Sequence, residues 1–265
     1  MRDNPLAMTQ PPYEPPRFSA AGAVARITLA RPAYRNRLHN EDLERLLGLF
    51  ARIDADQGIR VVVLTAEVLP ERPVFSAGYN TGEFAPGRPA ANFEAVVEAL
   101  ERLRPLTVCA LNGSVYGGAT DFVLACDFAL GAEGIEMRMP AAALGLHYYA
   151  SGLVRYVSRL GVTVAKRAFL SGQALDAQTL LRVGYLQELV PADRLGIRVD
   201  EFAAHLATLA PLAAQSMKQS LNEIARGEFD VGRIRAREQA TVDSEDFAEG
   251  RKAFAERRRP AWKGR

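Results

Sequence analysis

Two hydrophobic periods alternate through the first half of the chain. Ala25, Ile27 and Leu29 alternate with Arg26 and Thr28, the pattern of a strand with one wet face. Leu43, Leu46, Leu47, Phe50 and Ile53 then recur at helical spacing, with Asn40 placed to cap that helix. Ile59 to Leu64 is continuously apolar, as in a strand covered on both faces. The order repeats, with a helix over 92–103, a strand over 107–111, a short helix over 118–126 and a strand over 128–131. Strand and helix alternating in this way predict an α/β fold with a parallel, helix-flanked sheet.

From Ser151 the pattern changes: Leu153, Val154, Val157 and Leu160 keep helical spacing, and strand character returns only near Leu189. Helices are predicted over 176–183, 193–209, 211–225, 231–241 and 244–257, each punctuated by Gly, Pro or a capping residue. No low-complexity linker separates this part. Residues 1–17, with Pro11, Pro12, Pro15 and Pro16, read as a flexible tail, followed by a core over 18–200 and a helical region over 201–265.

Composition narrows the picture modestly. With 48% apolar residues in 265 the chain can bury a substantial core, as one large domain or two small ones. Lys and Arg exceed Asp and Glu by two, too small a balance to imply a nucleic-acid partner, although the surplus gathers at the C-terminus. Cys109 and Cys126 stand in apolar surroundings without metal-ligand spacing, as buried thiols of a reducing compartment do. No run is long and apolar enough for a membrane helix, and the expected location is the cytoplasm. No metal or redox cofactor is expected.

Two glycine-containing segments carry the chemistry. Phe75-Ser76-Ala77-Gly78-Tyr79-Asn80 and Asn112-Gly113-Ser114-Val115-Tyr116-Gly117-Gly118-Ala119-Thr120-Asp121 each follow a strand-like run. Each can therefore turn a backbone N–H out of the sheet, and two N–H groups converging on one oxygen form an oxyanion hole. Either segment alone reads equally well as an ordinary turn. The second fits neither GxGxxG nor a P-loop, which excludes a nucleotide-dependent dehydrogenase or NTPase. Ser76 lies outside any GxSxG elbow and is not expected to be a nucleophile.

Together with Ala125-Cys126-Asp127 and the late run Phe254 to Pro260, these segments resemble the crotonase family, the enoyl-CoA hydratase/isomerase group, from about Phe18 to Arg265. The resemblance implies a spiral of ββα units followed by a helical region that mediates homotrimers, often paired into hexamers. It implies an acyl-CoA thioester as substrate, with CoA arriving as part of it. It places the oxyanion donors at Ala77 and Gly118, with Phe75, Tyr79, Asn80 and Gly117 lining the same site. Arg35 would approach the ribose phosphate and adenine, and Phe254 and Arg257 the nucleotide, from a neighbouring subunit. Arginine suits phosphate by bidentate hydrogen bonding; Arg257 reads equally well as part of a solvated helix end.

The acid–base residues depart from the hydratase pattern. Of the two glutamates such enzymes use, the first position is Asp121 and the second is Ala141. Loss of the second acid argues against ordinary hydration, which uses a positioned acid and base. Leu144 to Tyr149, with Val115 to Ala119 and Asp243 to Gly250, looks most like the methylmalonyl-CoA decarboxylase branch, whose tyrosine matches Tyr148; the histidine that branch carries after Ser-Ala-Gly is Tyr79 here. Loss of CO2 makes an enolate without a strong base. Tyr148 is then the proton source, or else a core residue, since only one of Tyr148 and Tyr149 can easily face the pocket. His147 reads as structural or exposed. The acyl pocket would include the variable segment Thr81 to Ala91. Three readings stand: decarboxylase-like or isomerase chemistry on a thioester enolate, a hydratase using Asp121 alone, and a silent member that binds acyl-CoA or a partner.

Overall fold

The computed structural model describes residues 14–80, 82 and 93–265. Most of the predicted tail and nearly all of the Thr81 to Ala91 segment lie outside the described residues. The chain begins with β1 (Arg17–Ala21), β2 (Val24–Leu29) and α1 (Asn40–Ala55), then β3 (Val61–Ala66), β4 (Val74–Ser76) and α2 (Phe93–Arg102). Next come β5 (Leu106–Leu111), β6 (Ser114–Tyr116), α3 (Ala119–Ala125), β7 (Phe128–Ala132) and β8 (Glu136–Arg138). The remainder is α4 (Ala150–Lys166), β9 (Leu175–Asp176), α5 (Ala177–Arg182), β10 (Glu188–Val190), α6 (Leu195–Ala207), α7 (Pro211–Arg226), α8 (Val231–Val242) and α9 (Glu245–Ala255).

A larger sheet has the order β1-β2-β3-β5-β7-β10, parallel except for the β1–β2 hairpin. A smaller sheet, β4-β6-β8-β9, stands beside it. Its strands hold only two or three residues each, too few to show a period of two, so the sequence pattern does not reveal them. These short strands aim the chemistry.

The long helices bury the faces their periodicity requires. Leu43, Leu46, Leu49, Phe50 and Ile53 of α1 pack inward, whereas Leu47 is exposed. α1 starts at Asn40, but His39 is its N-cap: the Asp42 carboxylate accepts from the His39 N–H at 2.8 Å, closing a capping box. Val96, Val97 and Leu100 of α2 and Val199, Ala203 and Leu206 of α6 join the same core. Position 200, the expected division between core and helical region, lies within α6, which packs on β3 and β5.

Candidate active site

The first wall of the site is backbone. Strands β4 and β6 run parallel, and each ends in a glycine turn. Gly78 has φ 88° and Gly117 φ 55°, conformations that glycine adopts without strain. A Cβ on Gly78 would lie 2.7 Å from the Tyr116 carbonyl oxygen and 3.1 Å from the Gly118 nitrogen, so the two turns touch. The Ser76 hydroxyl is buried, donating to the Asn36 carbonyl at 2.7 Å and accepting from the Gly78 N–H at 3.1 Å. It fastens the turn and is not offered to a substrate.

The directions of the amides follow from the neighbouring loop. Ala77 donates its N–H to the Arg35 carbonyl at 2.8 Å. In the parallel bridge between Leu38 and Tyr79, Leu38 donates to the Gly78 carbonyl at 2.9 Å and Asn80 donates to the Leu38 carbonyl at 2.8 Å. Gly78 and Asn80 therefore face Leu38, and the Tyr79 peptide N–H points to the opposite edge, where β6 and Gly118 stand. The expectation for Ala77 is thus corrected: its amide is spent inside the fold, and Tyr79 supplies the amide on the Gly118 side. Gly118 caps α3 with φ −56°, and no acceptor for its N–H stands among the described residues. A Cβ on Gly118 would lie 2.8 Å from the Phe93 ring, which packs directly on this turn.

The second wall is a chain of charged side chains from α2, α3 and α4 and of phenols from the two residues that lead into α4. Asp121 has no exposed surface; its Oδ2 accepts from Tyr149 Oη at 2.5 Å and from Arg155 Nη1 at 2.5 Å, while its buried Oδ1 has no partner. Arg155 also donates to Glu101, through Nε at 2.9 Å and Nη2 at 3.3 Å. Tyr148 donates to Tyr149 at 3.1 Å, and the two rings stack with centroids 4.2 Å apart.

Burial pushes the Asp121 carboxyl above its ordinary value, although the Arg155 charge and the Tyr149 hydrogen bond oppose the shift. Burial also works against charge on Glu101, but there the hydrogen bond and charge of Arg155, with Arg159 and Arg226, prevail and hold the carboxyl below its usual range. Burial and the Asp121 charge push the Tyr149 phenol far above its ordinary value. The arrangement therefore holds one proton-sharing pair, Asp121 and Tyr149, anchored by an arginine between two acids.

The sequence matches the Enoyl-CoA hydratase/isomerase family over residues 19–265. The chain belongs to the enoyl-CoA hydratase/isomerase family. Among its relatives, the 2,3-dehydroadipyl-CoA hydratase of Escherichia coli (strain K12) is 29% identical, covering 90% of this chain and 94% of that one. The carnitinyl-CoA dehydratase of Proteus mirabilis (strain HI4320) is also 29% identical, covering 94% and 98%. Solved structures agree on the crotonase fold: Pseudomonas aeruginosa DspI superposes with a TM-score of 0.85 at 28% identity over 97% of this chain and all of that one. The enoyl-CoA hydratase of Bacillus anthracis gives a TM-score of 0.85 at 27% identity, covering 94% and 99%. The two relatives and the Bacillus anthracis protein are named hydratases or dehydratases, and none of the four is a decarboxylase by name.

Within this enoyl-CoA hydratase/isomerase family member, the expected site residues separate. Tyr79, Gly117, Gly118 and Asp121 cluster around the paired turns; Asn80 Nδ2 lies 3.2 Å from His39 Nδ1, and the Tyr79 hydroxyl donates to Asn40 at 2.5 Å. Phe75, 1% exposed, is a core side chain. Ala141 is buried and apolar, as expected of the missing second acid. Tyr148 is buried against Tyr156 and Phe169, and it is Tyr149 that touches Asp121.

His147 is exposed, its Nδ1 2.8 Å from the Tyr148 carbonyl. Arg35 extends from a left-handed turn on the exposed rim. Phe254, 89% exposed, borders a groove with Phe247 and Trp262, and Arg257 follows the end of α9; one chain does not bring them to the turns. Arg155, Glu101 and Phe93 are absent from the sequence reading. The available signal was an arginine on the apolar face of α4, between Gly152 and Tyr156.

Proposed function

We propose that this protein acts on an acyl-CoA thioester, stabilising an enolate between the amides of Tyr79 and Gly118. Fixed N–H dipoles at a developing oxyanion stabilise charge without reorganising, each worth about 3 kcal/mol in other enzymes. Decarboxylation of a malonyl-type CoA and double-bond isomerisation suit the site best. The observation that carries this choice is the lone carboxylate: Asp121 is locked to Arg155 and Tyr149, and the second acid position is apolar Ala141. Decarboxylation needs no base and one proton; isomerisation needs one group that takes a proton and returns it.

A second reading is hydration or dehydration, favoured by the relatives' names and by Tyr149, which offers a second proton-handling group beside Asp121. In either reading Arg35 meets the ribose phosphate of CoA, and Phe254 and Arg257 serve the nucleotide of a neighbouring copy in a trimer or hexamer. The test is incubation with crotonyl-CoA, a 3-enoyl-CoA and methylmalonyl-CoA, with products identified by mass spectrometry. Loss of CO2 or a shifted double bond supports the first reading. Hydration at ordinary rates moves the assignment to the second, and binding without turnover of all three indicates a silent member.

A further inference from the structure

We propose that Tyr149 delivers the proton to the substrate carbon, with Asp121 recharging it and Arg155 and Glu101 positioning Asp121. The proposal rests on the enolate reading above. The resemblance to the decarboxylase branch implies the preceding residue, but the two tyrosines have different surroundings. Tyr148 is packed into the core by Tyr156 and Phe169, with ring centroids 6.5 Å and 5.0 Å away. Tyr149 retains partial exposure, and its ring lies 6.0 Å from Phe93, the same ring that packs on Gly118. Tyr149 and the oxyanion turn thus share one wall.

The pair is built in. A Cβ on Gly152 would lie 2.4 Å from the Tyr148 ring and 2.7 Å from the Tyr149 ring, so glycine there makes the space in which both rings stack. The Tyr149 oxygen accepts from Tyr148 and donates to Asp121 Oδ2. Rotation about its C–O bond carries the hydrogen from Asp121 toward a substrate. Then the Tyr149 O–H bond breaks as the Cα–H bond forms from the enolate's electron pair, and the phenolate keeps the hydrogen bond from Tyr148. Protonated Asp121 returns a proton to that oxygen and becomes a carboxylate paired with Arg155; water restores the proton. Where loss of CO2 makes the enolate, the C–C bond's electrons become those of the enolate, and one proton is drawn from water per turnover.

Arg155 and Glu101 act through Asp121. Facing the carboxyl are Arg155 and Tyr156 of α4, Tyr149 at its N-cap and Tyr148 before it, Tyr185 beyond α5, and Glu101 of α2; Glu101 is itself met by Arg226 of α7 at 3.2 Å and Arg159 at 3.7 Å. Burial keeps the proton on Asp121 to a higher pH than an ordinary carboxylate, so proton delivery falls as pH rises through that value. Glu101→Gln leaves the Arg155 charge to Asp121 alone, which lowers that value and moves the fall to lower pH.

The experiment follows exchange of the α-protons of propionyl-CoA in D2O by NMR, with binding of the same thioester measured by calorimetry on each enzyme. Tyr149→Phe is expected to slow exchange at least about 100-fold, within the range general acid–base groups supply, with affinity nearly unchanged. Tyr148→Phe should slow it less, and Glu101→Gln should shift the pH profile toward acid at unaltered affinity. Wild-type exchange in Tyr149→Phe, a larger loss in Tyr148→Phe, or an unmoved profile in Glu101→Gln overturns the proposal. Wild-type protein that binds propionyl-CoA without exchanging it overturns the proposal and leaves thioester binding standing; failure to bind any acyl-CoA removes the functional reading itself.

Discussion

The two walls of the site are held by different physics. Ser76 to Tyr79 and Gly117 to Gly118 present backbone dipoles at the ends of two parallel strands, fixed by ladder hydrogen bonds and by the Ser76 hydroxyl. Asp121, Arg155 and Glu101 are buried side chains from three helices joined through charge, and Tyr149, at the α4 N-cap, is hydrogen-bonded to Asp121. Backbone amides do not titrate, and their strength depends on geometry alone. Each member of the buried chain depends on the next, because an unpaired buried charge costs several kcal/mol. Damage to the first wall should therefore leave the pH dependence of the rate unchanged, whereas damage to the second should alter stability and pH dependence together.

The strongest way to break this contrast is Arg155→Met. It strands Asp121 and Glu101 without their shared cation, and the expected loss is about 3–5 kcal/mol in urea unfolding at neutral pH. The loss should shrink on acidification, as the stranded carboxyls take up protons. A near-neutral result would mean that the chain is not a unit.

Gly118→Pro comes next, at about 3 kcal/mol in transition-state stabilisation, read as a 100- to 1000-fold fall in kcat/KM. The φ of −56° suits proline, so the change removes the N–H, although the ring must displace Phe93. The fall should be equal at all pH values. Ser76→Ala should cost about 1–3 kcal/mol of stability by leaving the Asn36 carbonyl and the Gly78 N–H without their buried partner, with less effect on the pH profile than any change at Asp121.

The smallest effect is a control outside both walls. Arg258 and the Ala261 N–H bond the half-buried Glu249 carboxyl and hold it down to about 2. Its folded value lies below the unfolded one, so this contribution is full above the unfolded range near about 4.3 and is lost as pH falls toward about 2. Hydrogen exchange at the C-terminus should quicken over that window, and Glu249→Gln should remove the dependence without touching turnover.

The backbone wall was more legible in the sequence than the side-chain wall. Glycines at turns after apolar runs mark places where the chain must take a positive φ, and Gly78 and Gly117 do so. Which amide points to the Gly118 side differs from the expectation by two residues, because that depends on the bridge between Leu38 and Tyr79, a contact no local pattern encodes. Asp121 was visible through its spacing from Gly118. Its partners were not: Glu101 and Arg155 lie 20 and 34 residues away on other helices, and only packing of α2 and α4 on α3 unites them. The choice between Tyr148 and Tyr149 likewise turns on Phe93 and Gly152, whose contacts are made in space.

The most direct test of the central claim, that two backbone amides receive the thioester oxygen, is the infrared carbonyl stretch of isotope-labelled crotonyl-CoA bound to the protein. The account predicts a shift to lower frequency on binding that is largely lost in Gly118→Pro and retained in Tyr149→Phe. A carbonyl band at its free-solution position, or one shifted equally in wild type and Gly118→Pro, would contradict it.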